Sequence, residues 1–124
     1  MRFYIASKFE ERLKVRWLMD RLEDLGHEIT HDWTGQSWDD SKNLTQYALD
    51  AIQGVRNAEC IVGVFIEDCH YQGSIGEVVL ALADNIPTYI IGHAIDSCIF
   101  TKLATKRFET EMEFLNFIGR LSCE

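Results

Sequence analysis

The sequence predicts an α/β fold: a flavodoxin- or Rossmann-like three-layer sandwich around a parallel sheet of four or five strands. Short apolar runs of strand length alternate along the chain with longer segments of helical periodicity, which is the pattern of β-α-β units. The run ECIVGVFI, residues 59–66, is apolar almost throughout, as expected of a central parallel strand buried on both faces. A chain of 124 residues is long enough for one domain with its own core, so residues 1–124 are interpreted as a single domain.

The first β-α-β unit is predicted from the N-terminal third of the chain. Residues 2–6, RFYIA, form a short apolar run that suits a buried strand. In the charged segment that follows, apolar residues recur at steps of three and four and define one helical face: Val15, Leu18, Leu22 and Leu25. Residues 27–33, HEITHDW, are predicted to be the second strand, and the polar, turn-rich residues 34–43 a loop.

The rest of the chain continues this alternation of helices and strands. In order, we predict a helix over residues 44–58, a strand over 59–66, a helix over 75–85, a strand over 86–92 and a last helix over 109–121. Residues 104–109, ATKRFE, are a further candidate for a short fifth strand. The prediction is therefore an open parallel sheet with helices on both faces.

A candidate site lies where the predicted strands end. In open parallel α/β sheets, ligands bind in the crevice beyond the carboxyl ends of the strands. Most polar and aromatic residues that core packing does not explain follow such an end: Ser7, Lys8 and Phe9; His31, Asp32 and Trp33; Glu67, Asp68 and the turn 73–77; and Gly92 with His93. We therefore expect a binding or catalytic site at this edge of the sheet.

The acidic composition restricts the class of partner. The formal net charge is −8 and no basic cluster interrupts it, which argues against a nucleic-acid polymer, because binding a phosphate backbone requires a basic surface. A small nucleoside or nucleotide remains compatible, since one local pocket is enough for one phosphate. The N-terminal sequence turns charged after six residues, so neither a signal peptide nor a membrane span is expected, and the cytoplasm is the default location.

The sequence offers no pattern for a metal or an organic cofactor. Its four cysteines are widely spaced and form no C-x-x-C motif, which argues against a zinc site and against a disulfide framework. The chain contains neither a Walker sequence nor G-x-G-x-x-G, which argues against P-loop and dinucleotide-binding chemistry. We therefore expect no cofactor.

The turn QGSIGE, residues 72–77, supports two interpretations of Glu77. Ser74 and Glu77 match the capping box S-x-x-E, in which both side chains bond exposed backbone N–H groups at a helix start. Alternatively, Glu77 is catalytic: the positive end of the helix would hold its carboxylate as an anion, which suits it to stabilise or capture an oxocarbenium-like sugar. Gly73 would let the backbone approach a ligand closely or adopt a positive φ.

Three further side chains have both a structural and a functional interpretation. Asp50 lies late in the second predicted helix, beside apolar positions, and points either into the cleft or to solvent. Trp33 either stacks on a nucleobase or covers the edge of the sheet. His31 is either a strand-end histidine satisfied by hydrogen bonds or a member of the site.

Four segments, taken in order, together suggest a family: RFYIAS, LEDLGHEIT, LDAIQGVRNAECIVGVF and QGSIGEVVLALADNIPTYIIG. In these segments, which lie within residues 2–92, the chain resembles the nucleoside 2-deoxyribosyltransferase-like family, including its nucleotide N-glycosidase relatives. The last segment is similar to the family's G-[ST]-x-x-E-x-G-x-A pattern. The resemblance implies cleavage or transfer at the N-glycosidic bond of a (deoxy)nucleoside or its monophosphate. It also implies a homodimer or higher homo-oligomer in which one subunit completes another's pocket.

The resemblance also implies roles for individual residues. Glu77 would attack the anomeric carbon, Asp50 would contact the nucleobase or assist its protonation, and Tyr4 would orient the nucleophile. Gly73 and Ser74 would hold the sugar or a 5′-phosphate. The remaining residues that we predict to bind substrate are Ser7, Phe9, His31, Trp33 and Asp68.

Two alternatives stay open beside this interpretation. Residues 4–33 also resemble the opening of a TIR domain, which implies cleavage of the related N-glycosidic bond in NAD. The third alternative is a catalytically inactive module that binds a nucleotide-like ligand. It is suggested by the position ahead of Gly73, where the family has Asp or Ser and this chain has Gln72, preceded by Tyr71.

Overall fold

The structure, a computed structural model, describes residues 1–36, 43–67 and 71–122. The regular elements in these ranges are β1 (Arg2–Ala6), α1 (Arg12–Asp24), β2 (Glu28–Ile29), α2 (Leu44–Asn57), β3 (Cys60–Val64), α3 (Gln72–Ala83), β4 (Thr88–Ile91), β5 (Lys106–Phe108) and α4 (Glu111–Ser122). Short 3-10 turns at Phe9–Glu11 and Ile99–Leu103 precede α1 and β5.

The strands form one parallel, five-stranded sheet in the order β2-β1-β3-β4-β5. The chain passes from β1 to β2 on one side and returns to β3 on the other, so the strand order reverses between β1 and β3. Their carboxyl ends lie side by side, with Ala6 paired to Gly63. Such a reversal opens a crevice at the end of the sheet, where ligands bind in this class of fold. The predicted parallel sheet and its short fifth strand are confirmed.

Helices cover both faces of the sheet, as the three-layer prediction requires. Helix α1 contacts α4, and α2 contacts α3. Successive β1 side chains point to opposite layers: the Phe3 ring meets Phe114 of α4 edge-on, with centroids 6.3 Å apart, whereas the Tyr4 ring lies against Gly54 of α2. The largest fully buried side chains come from the sheet, from α1 and α4, and from Phe65 directly after β3: Tyr4, Phe3, Phe65, Phe114, Ile5, Leu18, Met19, Leu22, Ile61, Ile90, Ile91 and Ile118.

The second strand is shorter than predicted. β2 comprises Glu28–Ile29, whereas the sequence predicted residues 27–33. The N–H of Thr30 still donates to the carbonyl of Phe3 at 2.9 Å. Beyond it, the indole N–H of Trp33 donates to the carbonyl of Ile5 at 2.7 Å. A side-chain hydrogen bond thus replaces backbone pairing along the second half of β1, and β2 ends early.

Helix α3 begins earlier than predicted, and the capping-box interpretation of Ser74 and Glu77 is wrong. The helix starts at Gln72, so Ser74 lies inside it, and the serine hydroxyl donates to the backbone carbonyl of Ser7 at 2.6 Å. Gly73 has helical backbone, and the positive φ suggested for it is not adopted. The Ser74 hydroxyl, which the local motif assigned as an acceptor for a helix N–H, instead donates to a distant carbonyl just after β1.

Within the described ranges, no helix is long and apolar enough to cross a membrane. Cys60 is a buried free thiol and Cys98 a partly buried one.

Candidate active site

The centre of the candidate site is a hydrogen bond between Tyr4 and Glu77. The Tyr4 hydroxyl donates to Oε2 of Glu77, which joins β1 to the second turn of α3. Gly54 makes the approach possible, since a Cβ at that position of α2 would lie 2.9 Å from Cδ2 of the Tyr4 ring. The Tyr4 ring therefore passes beneath α2, and its hydroxyl reaches the inward-facing carboxylate.

Burial governs the charge of Glu77. Desolvation raises the pKa of Glu77 to about 7, and the hydrogen bond from Tyr4 opposes that rise because it favours the anion. The pKa of Tyr4 is raised well above its ordinary value, first by burial and then by the negative charge of Glu77. Tyr4 therefore remains a hydrogen-bond donor near neutral pH, where Glu77 exists in both protonation states.

This protonation state differs from the sequence expectation, in which the positive end of the helix keeps the Glu77 carboxylate ionised. Because α3 begins at Gln72, Glu77 lies beyond the first turn, where the influence of the helix dipole has fallen off. Desolvation then decides the direction in which the pKa of Glu77 moves. The carboxylate is consequently weakly basic, not permanently ionised.

A second group of polar side chains joins the end of β1 to the start of α3. Ser7 lies with its hydroxyl 2.8 Å from Oε2 of Glu11 and 2.9 Å from the carbonyl oxygen of Val64. The Tyr71 hydroxyl donates to Oε1 of Glu11 at 3.2 Å, and Ser74 donates to the Ser7 carbonyl. These side chains are buried, so they fix the geometry around the Glu77 turn.

A basic side chain lies at the rim of this group. Lys8 Nζ is 3.1 Å from Oε2 of Glu67 and 5.3 Å from the centroid of the Tyr71 ring. The Lys8 ammonium, together with that of Lys14, lowers the pKa of Glu67. The backbone N–H of Glu67 donates to the Tyr71 hydroxyl at 3.1 Å, so the end of β3 is tied to the same group.

Two predicted residues after β2 have structural partners. Trp33 is buried, and its indole N–H is occupied by the Ile5 carbonyl. His31 is partly buried, with Nε2 at 3.1 Å from Nε2 of Gln36. Both side chains thus contribute hydrogen bonds to the β1–β2 end of the sheet.

The remaining predicted residues are not brought into contact with the Tyr4–Glu77 pair by any described hydrogen bond. Asp50 is partly buried on α2 and accepts from the side-chain amide of Gln46 at 2.8 Å. The guanidinium carbon of Arg12 lies over the Phe9 ring, 4.6 Å from the centroid of that ring. Gly73 is exposed in the first turn of α3, and Asp68 lies outside the described residues.

The described part of the chain contains no group of three or more His, Cys, Asp or Glu side chains that could hold a metal ion. A surface hollow of about 720 Å³ lies between α1 and α4, away from Glu77. It is lined by Arg21, Asp24, Leu25, Leu115, Asn116, Gly119 and Arg120.

Sequence reasoning missed three residues of the site: Glu11, Tyr71 and Gly54. Glu11 stands four residues after Ser7 in a run of charged residues, where an exposed helical face is the usual interpretation. Tyr71 was noticed as a departure from the family pattern, but its partners were not predictable. Gly54 is a glycine inside a predicted helix, a feature that often marks close packing, and this was the available indication.

Several solved structures share this fold. The 2-deoxyribosyltransferase of the psychrotolerant bacterium Bacillus psychrosaccharolyticus matches with a TM-score of 0.74 and 17% identity, over 94% of this chain and 91% of that one. A conserved protein from Enterococcus faecalis matches with a TM-score of 0.75 and 14% identity, over 97% and 98%. The CMP N-glycosidase BcmB of Clostridium botulinum matches with a TM-score of 0.64 and 16% identity, over 95% and 98%.

Sequence comparison gives no relative: no family model and no curated protein matches the chain. The structural matches nevertheless span nearly the whole of each chain. They support the predicted resemblance, and the chain has the fold of the nucleoside 2-deoxyribosyltransferase-like proteins.

Proposed function

We propose that the protein cleaves or transfers at the N-glycosidic bond of a (deoxy)nucleoside or its monophosphate, with Glu77 as the nucleophile. The observation that carries the proposal is the Glu77 carboxylate, held by a hydrogen bond from Tyr4 of β1, one of the two strands between which the strand order reverses. The fold adds support, because two proteins that share it are a 2-deoxyribosyltransferase and a CMP N-glycosidase.

The proposed reaction begins with ionised Glu77. Its Oε2 is occupied by the Tyr4 hydroxyl, which leaves Oε1 to attack the anomeric carbon. The C–N bond breaks as the C–O bond forms, its electron pair passes to the base nitrogen, and the base leaves in neutral form by taking a proton that Asp50 passes to it. Water then displaces Glu77 from the sugar in hydrolysis, and a second base does so in transfer.

Burial suits Glu77 to this role. A carboxylate that is poorly solvated gains more from a neighbouring cationic, oxocarbenium-like sugar than one in bulk water, because the local dielectric is low. The same burial raises the pKa of Glu77 to about 7. Turnover should therefore depend on ionisation of Glu77 within the physiological pH range.

Asp50 is proposed as the helper at the leaving base. It is partly buried on α2 and already accepts one hydrogen bond, from Gln46. A carboxyl group in this position could hold or pass the proton that the departing base needs. We propose that Gly73, Phe9, His31 and Asp68 contact the substrate, and that Ser7, Ser74 and Trp33, which bond backbone carbonyls, shape the walls of its pocket.

The protein is further proposed to act as a homodimer or higher homo-oligomer. The α2 helix, which carries Asp50, exposes Leu44, Leu49 and Ile52 at 38%, 55% and 41% of their surface. Packing a second copy against these side chains would remove apolar area from water, which favours association. It would also place a neighbouring subunit beside the helix that we assign to the leaving base.

The test is an incubation with deoxynucleosides, deoxynucleotides, CMP and NAD, with the released base followed by chromatography. Release from nucleosides or nucleotides supports the proposal. Nicotinamide release would instead indicate a TIR-like activity, and thermal stabilisation by a nucleotide without release would indicate a binding module.

Glu77→Gln tests the nucleophile itself. The amide is nearly isosteric and still accepts from the Tyr4 hydroxyl, so the fold should be kept, but it cannot form the covalent intermediate. We expect turnover to fall at least about a thousandfold with an unchanged or higher melting temperature. Glu10→Gln is the matched control, because it removes the same charge at an exposed position. Full turnover in Glu77→Gln would refute the assignment.

A further inference from the structure

We propose that Glu11 is a positioning residue for Glu77: its buried carboxylate fixes the start of α3 against the end of β1 and so sets where Glu77 meets the substrate. This inference rests on the proposed function of Glu77. Glu11 itself is only 3% exposed, so it acts through other side chains and does not touch the substrate.

The two oxygens of Glu11 bind two different elements. Oε2 lies 2.8 Å from the hydroxyl of Ser7, directly after β1. Oε1 accepts from the hydroxyl of Tyr71 at 3.2 Å, and Tyr71 is the residue immediately before α3. One side chain therefore clamps the exit of a central strand to the entry of the helix that carries Glu77.

The contacts of Ser7 and Tyr71 extend this clamp. The Ser7 carbonyl accepts from Ser74, one helical turn before Glu77. The Tyr71 hydroxyl also accepts from the backbone N–H of Glu67, just beyond β3. The position of α3 along its own axis is thereby fixed relative to both strands that border the crevice.

Tyr4 explains why that position matters. The Tyr4 hydroxyl reaches Glu77 from the interior of β1, and the Tyr4 ring is confined by Gly54. A small shift of α3 would therefore change the Tyr4–Glu77 hydrogen bond, because the buried Tyr4 ring packs closely against α2 at Gly54, which limits how far it can follow. Reacting groups displaced by about 1 Å can lose about a hundredfold in rate.

Energetics favour a geometric role for Glu11 over a purely stabilising one. Burying a carboxylate carries a desolvation cost that its hydrogen bonds repay only in part, and apolar replacements of buried charges are often as stable. What an apolar side chain cannot do is accept hydrogen bonds from both Ser7 and Tyr71. The carboxylate thus specifies one arrangement of β1 against α3.

Glu11→Ala and Glu11→Gln separate geometry from charge. Alanine removes both acceptors, so we expect kcat to fall about ten- to a hundredfold while KM changes less than about threefold. Glutamine can accept from Tyr71 and donate to Ser7, whose hydroxyl can then donate to Val64, so it should restore kcat to within about threefold. Tyr71→Phe keeps the ring and removes the hydrogen bond from the Tyr71 hydroxyl to Glu11. It replaces Glu11→Ala in the test if that variant does not fold. Glu10→Gln is the matched control.

A readout independent of turnover is the titration of the Glu77 side-chain carboxyl carbon, followed by NMR and assigned by its loss in Glu77→Gln. We expect the pKa of Glu77 to differ from wild type in Glu11→Ala and Tyr71→Phe and to be unchanged in Glu10→Gln. The inference is overturned if both variants titrate like wild type. It is also overturned if they keep full kcat while Glu77→Gln is inactive.

Failure of the proposed function would look different. Full turnover in Glu77→Gln, or no release of base by the wild-type protein, would contradict the nucleophile or the reaction. The Glu77 titration would still report whether Glu11 positions that carboxylate.

Discussion

At the scale of single residues, the state of Glu77 is set by two opposed effects. Desolvation raises the pKa of Glu77, and the hydrogen bond from Tyr4 lowers it. The first effect is the larger, so the carboxylate is poised near pH 7. A residue placed between two protonation states in this way is suited to proton-linked or nucleophilic chemistry, and each effect can be removed separately.

Tyr4→Phe removes the hydrogen bond that favours the Glu77 anion. We expect the pKa of Glu77 to rise further, because desolvation is then less opposed. The ascending limb of kcat/KM should therefore move to higher pH, and activity at pH 6 should fall by about tenfold or more. Measurement of kcat/KM from pH 5 to 9 would show this. Tyr89 is a buried tyrosine of β4 that packs against Phe108 and Phe114. As a control, Tyr89→Phe should leave the ascending limb of the pH profile in place.

Glu77 should also make stability depend on pH. Its folded-state pKa of about 7 exceeds the ordinary value of 4.5, so its contribution is fully present below pH 4.5 and is lost as pH rises through 7. We expect the free energy of unfolding of wild type relative to Glu77→Gln to fall by up to about 3 kcal/mol between pH 4.5 and pH 8. Urea unfolding at both pH values measures the difference.

The difference between the two proteins is needed because Glu77 is not the only described group whose pKa is raised in the folded protein. Hydrogen bonds to Glu109 and Asp96 raise the pKa of His93, so its contribution to stability is likewise lost as pH rises. Subtraction of the Glu77→Gln curve removes this shared effect. A pH-independent difference would show that Glu77 is not desolvated in the folded protein.

The site was only partly predictable from single residues. The turn QGSIGE itself points to Glu77, the resemblance adds Tyr4, and the structure joins the two by a hydrogen bond. The capping box failed because a local motif cannot reveal that Ser74 has an acceptor on Ser7. Glu11 was overlooked for the same reason, since charge alone suggests an exposed face and only the fold brings Tyr71 to it.

At the scale of elements, the strength of the periodic pattern decided what could be predicted. The apolar run that contains β3 is confirmed, and so is the face of α1 that Val15, Leu18 and Leu22 form, because burial determines both. Leu25, which the sequence places on the same face, lies just after α1 and is exposed. β2 was overestimated because an edge strand has a partner on one side only, and Trp33 ends its pairing. The start of α3 was misplaced because glycine was read as a turn residue, whereas Gly73 lies in the helix.

In helix α2, the lack of a side chain at Gly54 leaves the space that the Tyr4 ring occupies. A Cβ at Gly54 would lie 2.8 Å from Cβ of His31 and 2.9 Å from the Tyr4 ring. Gly54→Ala should therefore push the Tyr4 ring and destabilise the fold by about 1–3 kcal/mol, although alanine is the better helix former. Chemical denaturation measures the change in the free energy of unfolding.

Gly119 provides the matched control for that substitution. It also lies in a helix, α4, but a Cβ there would meet nothing within 4 Å. Gly119→Ala should stabilise the protein by up to about 1 kcal/mol through helix propensity. Equal effects of the two substitutions would show that Tyr4 is not confined by α2.

At the scale of the whole molecule, charge and apolar surface act in opposite directions on association. The net charge of −8 opposes contact between copies, and the repulsion is screened by salt. The exposed apolar side chains Leu44, Leu49 and Ile52 of α2 favour contact. If apolar burial dominates, as we propose, the protein should dimerise at micromolar concentration, and more tightly at high salt.

Leu49→Asp tests this assembly, because it replaces the most exposed of these three apolar side chains by a charge without opening a cavity in the core. We expect light scattering to show a shift from dimer to monomer, with a melting temperature at high dilution close to that of wild type. Leu13→Asp, at a residue of α1 that is 78% exposed, should leave the dimer intact. If the neighbouring subunit completes the pocket, kcat/KM should fall only in Leu49→Asp, and high protein concentration should restore part of it by mass action. A monomeric wild-type protein with full activity would contradict the proposed assembly.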